Sequence, residues 1–257
     1  MGFEMIVVEQ QGPFATITMN RPDRRNALSL AHLRELIAGF REVAASDARG
    51  VILAGNGPVF SAGHDFADMA RADLVAMREL LWTCTELMST IQGLAQPVIA
   101  RVHGLATAAG CQLVASCDLA VAADSAGFAT PGGKGGWFCH TPLVAVSRAV
   151  GPKHAMEMAL TGDTIDAHTA HAWGLVNRVV AAEDLDVATR DLLERATRGS
   201  AMSKAVGKQA FYAQLGLPQA QAYTYAVEVM AASSQTLDAQ EGMAAFLEKR
   251  TPTWVDR

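Results

Sequence analysis

Phe60-Ser-Ala-Gly-His-Asp65 and His103-Gly-Leu-Ala-Thr-Ala-Ala-Gly-Cys-Gln112 decide the fold. Each follows a short apolar run, Val51-Ile-Leu53 and Pro97-Val-Ile-Ala-Arg-Val102, and each leads into residues with helical spacing. Small side chains at a strand-to-helix junction let the chain turn tightly and let backbone N–H groups approach a ligand. At a helix start those N–H groups also carry the positive end of the dipole. Two such donors aimed at one oxygen make an oxyanion hole. The same residues also suit an ordinary tight turn, and at this level both readings stand.

Outward from these stretches the chain alternates strands and helices. Met5–Val8 and Phe14–Met19 are β-rich runs separated by Gln-Gln-Gly-Pro, which predicts a hairpin. Leu33, Leu36, Ile37, Phe40 and Val43 follow the three-and-four spacing of an amphipathic helix capped by Ser29. Leu74, Met77, Leu81, Cys84, Met88 and Ile91 repeat the pattern, and Leu119–Ala123 is a further buried strand. This is an α/β class with parallel pairing. Helices are expected over 142–150, 153–160 and 167–173, then a strand over 175–180. Residues 183–257 read as wholly helical, with breaks near Gly199, Gly216-Leu-Pro218 and Asp238. The stretch 219–236 exposes Tyr223, Val227 and Met230, which points to a partner subunit.

Of 257 residues, 50% are hydrophobic and 18% charged, a balance that excludes a disordered chain. A net charge of −5 without a basic run argues against nucleic acid. The longest charge-free apolar stretch, between Arg101 and Asp118, is too short and too polar to span a membrane. No basic leader precedes Glu4, and the four cysteines lack metal or disulfide spacing, so a cytoplasmic protein with buried reduced thiols is expected. Gly132-Gly-Lys-Gly-Gly136 matches neither phosphate-loop pattern, His168 and His171 lack further metal ligands nearby, and Ser61 lacks the esterase elbow. No metal and no separate cofactor are expected.

The ordered series Asn20-Arg-Pro-Asp-Arg-Arg-Asn-Ala-Leu28, Phe60–Asp65, Val102-His-Gly-Leu-Ala106, Ala108-Ala-Gly-Cys-Gln-Leu113, Cys117-Asp118, Ala159-Leu-Thr-Gly-Asp163, Ala172-Trp-Gly-Leu-Val-Asn177 and Glu241–Arg250 covers almost the whole chain. It resembles the crotonase superfamily, the enoyl-CoA hydratase/isomerase family. The resemblance implies a spiral of ββα units over residues 1–198 and a helical oligomerisation region over 199–257, assembling as a homotrimer or a hexamer of two trimers. It implies an acyl-CoA thioester as ligand, with CoA as part of the substrate. The N–H groups of Ala62 and Ala109 would hold the thioester oxygen. Ala62, Gly63, His64 and Asp65 would line the CoA path, and Arg24 or Arg25, Phe246 and Lys249 would meet its nucleotide end. As ordinary residues these last four are surface cations and a helix-packing side chain.

Hydratases of that family use two glutamates, and this chain has Gln112 and Gly132 at their positions. An amide cannot take a proton from water near neutral pH, and glycine offers no group at all. Phe128-Ala-Thr-Pro-Gly132 with Trp137-Phe-Cys-His-Thr-Pro142 resembles the enoyl-CoA hydratase domain-containing protein 3 subgroup, which carries the same kind of replacement. His140, Cys139, His64 and Asp65 are the alternative bases, and restoring both glutamates is expected to raise hydration. The reading leaves open an enoyl-CoA hydratase with an altered site, a crotonase-fold enzyme of another reaction type such as an isomerase or thioester hydrolase, and an acyl-CoA-binding protein without turnover.

Overall fold

The computed structural model describes residues 2–256. Its main sheet holds β1 (Ile6–Gln11), β2 (Phe14–Met19), β3 (Gly50–Gly55), β4 (Val98–Val102), β6 (Leu119–Ala123) and β9 (Arg178–Val180), in that spatial order. β1 and β2 form the antiparallel hairpin, and every other pairing in this sheet is parallel. A second sheet joins β5 (Ala106–Thr107), β7 (Gly127–Ala129) and β8 (Ile165–Asp166). Between strands run α1 (Leu30–Ala44), α2 (Phe66–Met69), α3 (Leu74–Gly93), α4 (Ala109–Ser116), α5 (His140–Val150), α6 (Pro152–Thr161) and α7 (Ala167–Ala172). The chain ends in α8 (Leu185–Ala196), α9 (Ala201–Gln214), α10 (Gln219–Ser233) and α11 (Leu237–Glu248).

β3 is buried along its whole length because helices cover both faces of the parallel sheet. Its alternation divides the apolar side chains between two cores. Val51 and Leu53 join the large core with Leu33, Phe40, Leu87 and Ile91, whereas Ile52 and Ala54 join a smaller one with Leu185 and Leu193 of α8. Ser29 caps α1 by accepting the His32 N–H at 3.2 Å, as its place before the apolar repeat predicts.

The departures are short or late in the chain. The expected strand over 175–180 pairs only over Arg178–Val180, and the stretch His103–Gln112 contains a two-residue strand, Ala106–Thr107, before its helix begins. β7, β8 and α2 hold two to four residues each, too few for any period to show. The last helix break falls at 234–236, not at Asp238. Thr236 caps α11, and Asp238 lies buried inside it, accepting the N–H groups of Val255 and Asp256.

Neither α9 nor α10 has a buried residue. One polar cluster holds α9 to the sheet. Lys208 Nζ lies 2.7 Å from Asp118 Oδ2 and donates to the carbonyls of Ile91 and Gln96 at 2.9 Å. Tyr212 donates to Asp118 Oδ1 at 2.9 Å, and the Val98 N–H donates to Oδ2 at 2.7 Å. Burial pushes the Lys208 ammonium down and Asp118 pushes it back up, so both charges are held by paired neighbours. Lys208→Met leaves a half-buried carboxylate short of its cation and should cost about 3–5 kcal/mol in denaturant unfolding.

Candidate active site

The two decisive stretches meet backbone to backbone. The Ser61 N–H donates to the Leu105 carbonyl at 3.2 Å, and the Thr107 N–H donates to the Ser61 carbonyl at 3.0 Å. No side chain fits between them. A Cβ at Gly110 would stand 2.4 Å from the Ser61 carbonyl oxygen, and one at Gly63 would stand 2.9 Å from the Thr107 carbonyl oxygen and 3.2 Å from the Ala109 nitrogen. Gly63 also adopts φ +83°, which L side chains rarely accept. Asn26, fully buried, ties the preceding loop to this junction. Its amide donates to the carbonyls of Asn56, Val59 and Phe60, and its oxygen accepts the Arg21 N–H. The Ser61 hydroxyl donates to the Asn26 carbonyl at 2.9 Å, a structural role.

The free donors differ from those the sequence indicates. Ala62 is not one of them, because its N–H already donates to the Arg25 carbonyl at 3.0 Å. Next along the turn, Leu28 donates to the Gly63 carbonyl and Asp65 donates to the Leu28 carbonyl, a bridge that leaves the His64 N–H between them without an acceptor among the described residues. Ala109 opens α4, whose first internal bond runs from the Gln112 N–H to the Ala108 carbonyl, so the Ala109 N–H is likewise unspent. Ala108 presents that donor from a strained backbone, φ +51° and ψ −118°, worth about 1–3 kcal/mol of strain. A bond from its N–H to the Ala129 carbonyl at 2.9 Å helps to hold it there.

Around these turns, buried polar atoms lack partners: both ring nitrogens of His64, Thr107 Oγ1 and Thr130 Oγ1. Such groups are rare in folded proteins and mark places where a ligand or water completes the bonding. Burial pushes the His64 imidazole down, the Leu28 carbonyl opposing without reaching hydrogen-bond geometry, so the ring is neutral at pH 7. Gln112 is only 4% exposed, and its oxygen accepts from the Cys84 thiol at 4.0 Å.

Asp65 is taken up by structure. It caps α2 through the Ala67 N–H at 3.0 Å and faces Arg21 at 3.2 Å and Arg24 at 3.6 Å. Burial alone would raise its carboxyl, but the Ala67 N–H and the two guanidinium groups outweigh this and hold it below the usual range, which makes it a poor proton acceptor. Arg25, in the left-handed region at φ +52°, contributes its carbonyl to the turn and keeps its side chain exposed. His140 is exposed. Phe246 and Lys249 sit at the far end of α11; Phe246 lines a groove of about 1350 Å³ between α9, α10 and α11, and not the two turns. The four cysteines are free and buried. The sequence reading missed Asn26 and Arg21 as the residues that brace the turn, although both stand in the quoted Asn20–Leu28 stretch.

The surroundings of Gly132 stand against the expected rescue by glutamates. A Cβ there would stand 2.2 Å from the Trp137 carbonyl oxygen, 3.0 Å from the Cys139 nitrogen and 2.8 Å from Cys139 Sγ. Two bonds close the loop, from the Trp137 N–H to the Gly132 carbonyl at 2.8 Å and from the Gly132 N–H to Cys139 Sγ at 3.3 Å. Gly132→Glu, with or without Gln112→Glu, should therefore lower stability by about 1–3 kcal/mol in thermal unfolding and leave crotonyl-CoA hydration no faster. A faster rate with unchanged stability would show that the loop yields.

The sequence model of the enoyl-CoA hydratase/isomerase family matches residues 9–257. The chain is 44% identical over 249 residues to mouse enoyl-CoA hydratase domain-containing protein 3, mitochondrial, covering 95% of this chain and 82% of that one. The human protein of the same name is 42% identical, with coverage of 93% and 79%. Among solved structures, an enoyl-CoA hydratase of Mycobacterium smegmatis superposes with a TM-score of 0.94 at 44% identity, covering 98% of this chain and 99% of that chain. Human enoyl-CoA hydratase domain-containing protein 3 does so with a TM-score of 0.93 at 41% identity, covering 98% and 100%. Because curated relatives in mouse, rat, zebrafish and human are named mitochondrial, the expectation of a cytoplasmic protein is withdrawn. Matched over almost its full length in sequence and in fold, the chain belongs to the enoyl-CoA hydratase/isomerase family, the crotonase superfamily, and resembles its domain-containing protein 3 subgroup.

Proposed function

We propose that this protein binds an acyl-CoA thioester and stabilises its enolate with the backbone N–H groups of His64 and Ala109, while hydrating enoyl-CoA poorly. The observation that carries the reading is the pair of unspent N–H donors brought together where Gly63 abuts Ala109. A preorganised donor pair of this kind is worth most where charge develops on an oxygen, as it does when a thioester becomes an enolate. The family's hydratase chemistry needs carboxylates that positions 112 and 132 do not supply. Loss of one positioned acid or base typically costs roughly 10²–10⁴ in rate. Gly63 and Asp65 shape the turn that lines the CoA path. Arg24, Arg25, Phe246 and Lys249 serve its nucleotide end, with α11 reaching the site from a neighbouring subunit.

Residues 199–257 form the oligomerisation region of a homotrimer or a hexamer of two trimers. Supporting this, Phe211, Tyr223, Val227, Met230, Phe246 and Leu247 are exposed apolar side chains concentrated on α9–α11, more than an isolated chain leaves in water. Light scattering at micromolar concentration should give at least about three times the 27.2 kDa chain mass; the mass of a single chain would refute the assembly.

The test of the site is a pair of variants at one position. Ala109 is the first residue of α4, where proline deletes the N–H without breaking a helical hydrogen bond but also bears on the strained backbone of Ala108. Ala109→Pro should abolish acyl-CoA binding by calorimetry or reduce any turnover about 10²–10³-fold, and Ala109→Gly should preserve both. Equal behaviour of the two folded variants would refute the donor assignment. Wild-type hydration of crotonyl-CoA at about 1–10³ per second would refute the disabled hydratase reading.

A further inference from the structure

We infer that the Cys139 thiol is the proton-transfer group of this site, removing and returning the α-proton of a bound acyl-CoA; the inference rests on the acyl-CoA reading above. Its basis is where the sulfur stands. Position 132 has no side chain, and Cys139 Sγ fills the space one would enter, 2.8 Å from the point a Cβ would occupy. The Gly132 N–H donates to that sulfur at 3.3 Å. α5, whose N-cap is Cys139, packs against α4, and the first turn of α4 carries Ala109, Cys111 and Gln112. The sulfur thus lies at the Gly132 loop, at the start of the helix that packs on α4.

A further polar group close by in the chain awaits a partner: Thr130 Oγ1, fully buried two residues before Gly132, has no hydrogen-bond partner among the described residues. Cys139 also stands at the N-terminus of the eleven-residue α5, whose dipole, together with the Gly132 N–H, favours a thiolate once one forms. In the step, the thiolate takes the α-proton: the C–H bond breaks, an S–H bond forms, and the electron pair moves onto the thioester oxygen held by His64 and Ala109. The thiol then returns a proton to carbon. Hydration must move a proton from water as well as deliver one to carbon, whereas this shuttle needs one titrating group and consumes nothing.

Burial raises the Cys139 thiol and the Gly132 N–H lowers it, with a net upward shift, so the base form grows only in alkaline solution. Titratable groups on the neighbouring elements are Cys111 on α4, whose thiol burial also raises, Lys134 in the loop, paired to Asp163, His154 on α6, stacked on Trp173, Lys153 and Glu157 on α6, exposed, and His140 and Arg148 on α5 itself.

The experiment follows deuterium entering the α-position of butyryl-CoA in D₂O by mass spectrometry, beside calorimetric binding of the same thioester. Wild-type exchange should rise with pH through and beyond the ordinary thiol range near about 8.5. Cys139→Ser and Cys139→Ala should lower it roughly 10²–10⁴-fold while the binding heat stays within twofold. Exchange that survives in Cys139→Ser with binding intact, or a wild-type rate flat from pH 7 to 10, would overturn the role of Cys139 and leave the acyl-CoA reading standing. Absence of binding heat in every protein would overturn both.

Discussion

The structure depends on a close approach between two pieces of backbone. Ser61 lies against Leu105 and Thr107 with paired N–H···O bonds between them, at a separation only glycine at 63 and 110 permits. This contact joins the loop after β3 to the loop after β4 and brings the His64 turn against the start of α4. It also determines which N–H groups remain free. Those spent on holding the turns together, at Ser61, Ala62 and Thr107, are unavailable to a ligand, and those on either side of the contact, at His64 and Ala109, are left over. Strain at Ala108 belongs to the same economy, since a relaxed backbone there would not aim the first N–H of α4 at the neighbouring turn.

Polar anchors inside an apolar frame make that arrangement durable. Asn26 satisfies three carbonyls of the β3–Phe60 segment at once, and the Arg21–Asp65–Arg24 group closes the turn from the other side. Farther away, the Lys208–Asp118–Tyr212 cluster fastens α9 beneath the sheet where little apolar contact is made. Each cluster is fully bonded, which distinguishes it from the unpartnered Thr107, Thr130 and His64 atoms around the candidate site.

Chemically the site offers no carboxylate at Gln112 or Gly132, the two positions where the family resemblance leads one to look for them. At 132 the loop closes over the glycine: a Cβ there would meet the Trp137 carbonyl oxygen and the Cys139 sulfur. A larger side chain at 132 requires the loop to shift, so Gly132 and the course of residues 132–139 form one structural unit.

Local pattern was enough to read the α/β class, the amphipathic face of α1 with its Ser29 cap and the two small-residue turns, because period and capping act over a few neighbouring residues. Short β5, β7, β8 and α2 escaped it, since two to four residues carry no period and pair only because distant chain brings them together. The tertiary structure alone decided that His64 and not Ala62 keeps a free N–H, that Asp65 is neutralised by Arg21 and Arg24, and that Cys139 stands in the room of an absent side chain at 132. Each of these turns on where a hydrogen bond or a van der Waals contact falls between residues remote in sequence, and no local pattern records that.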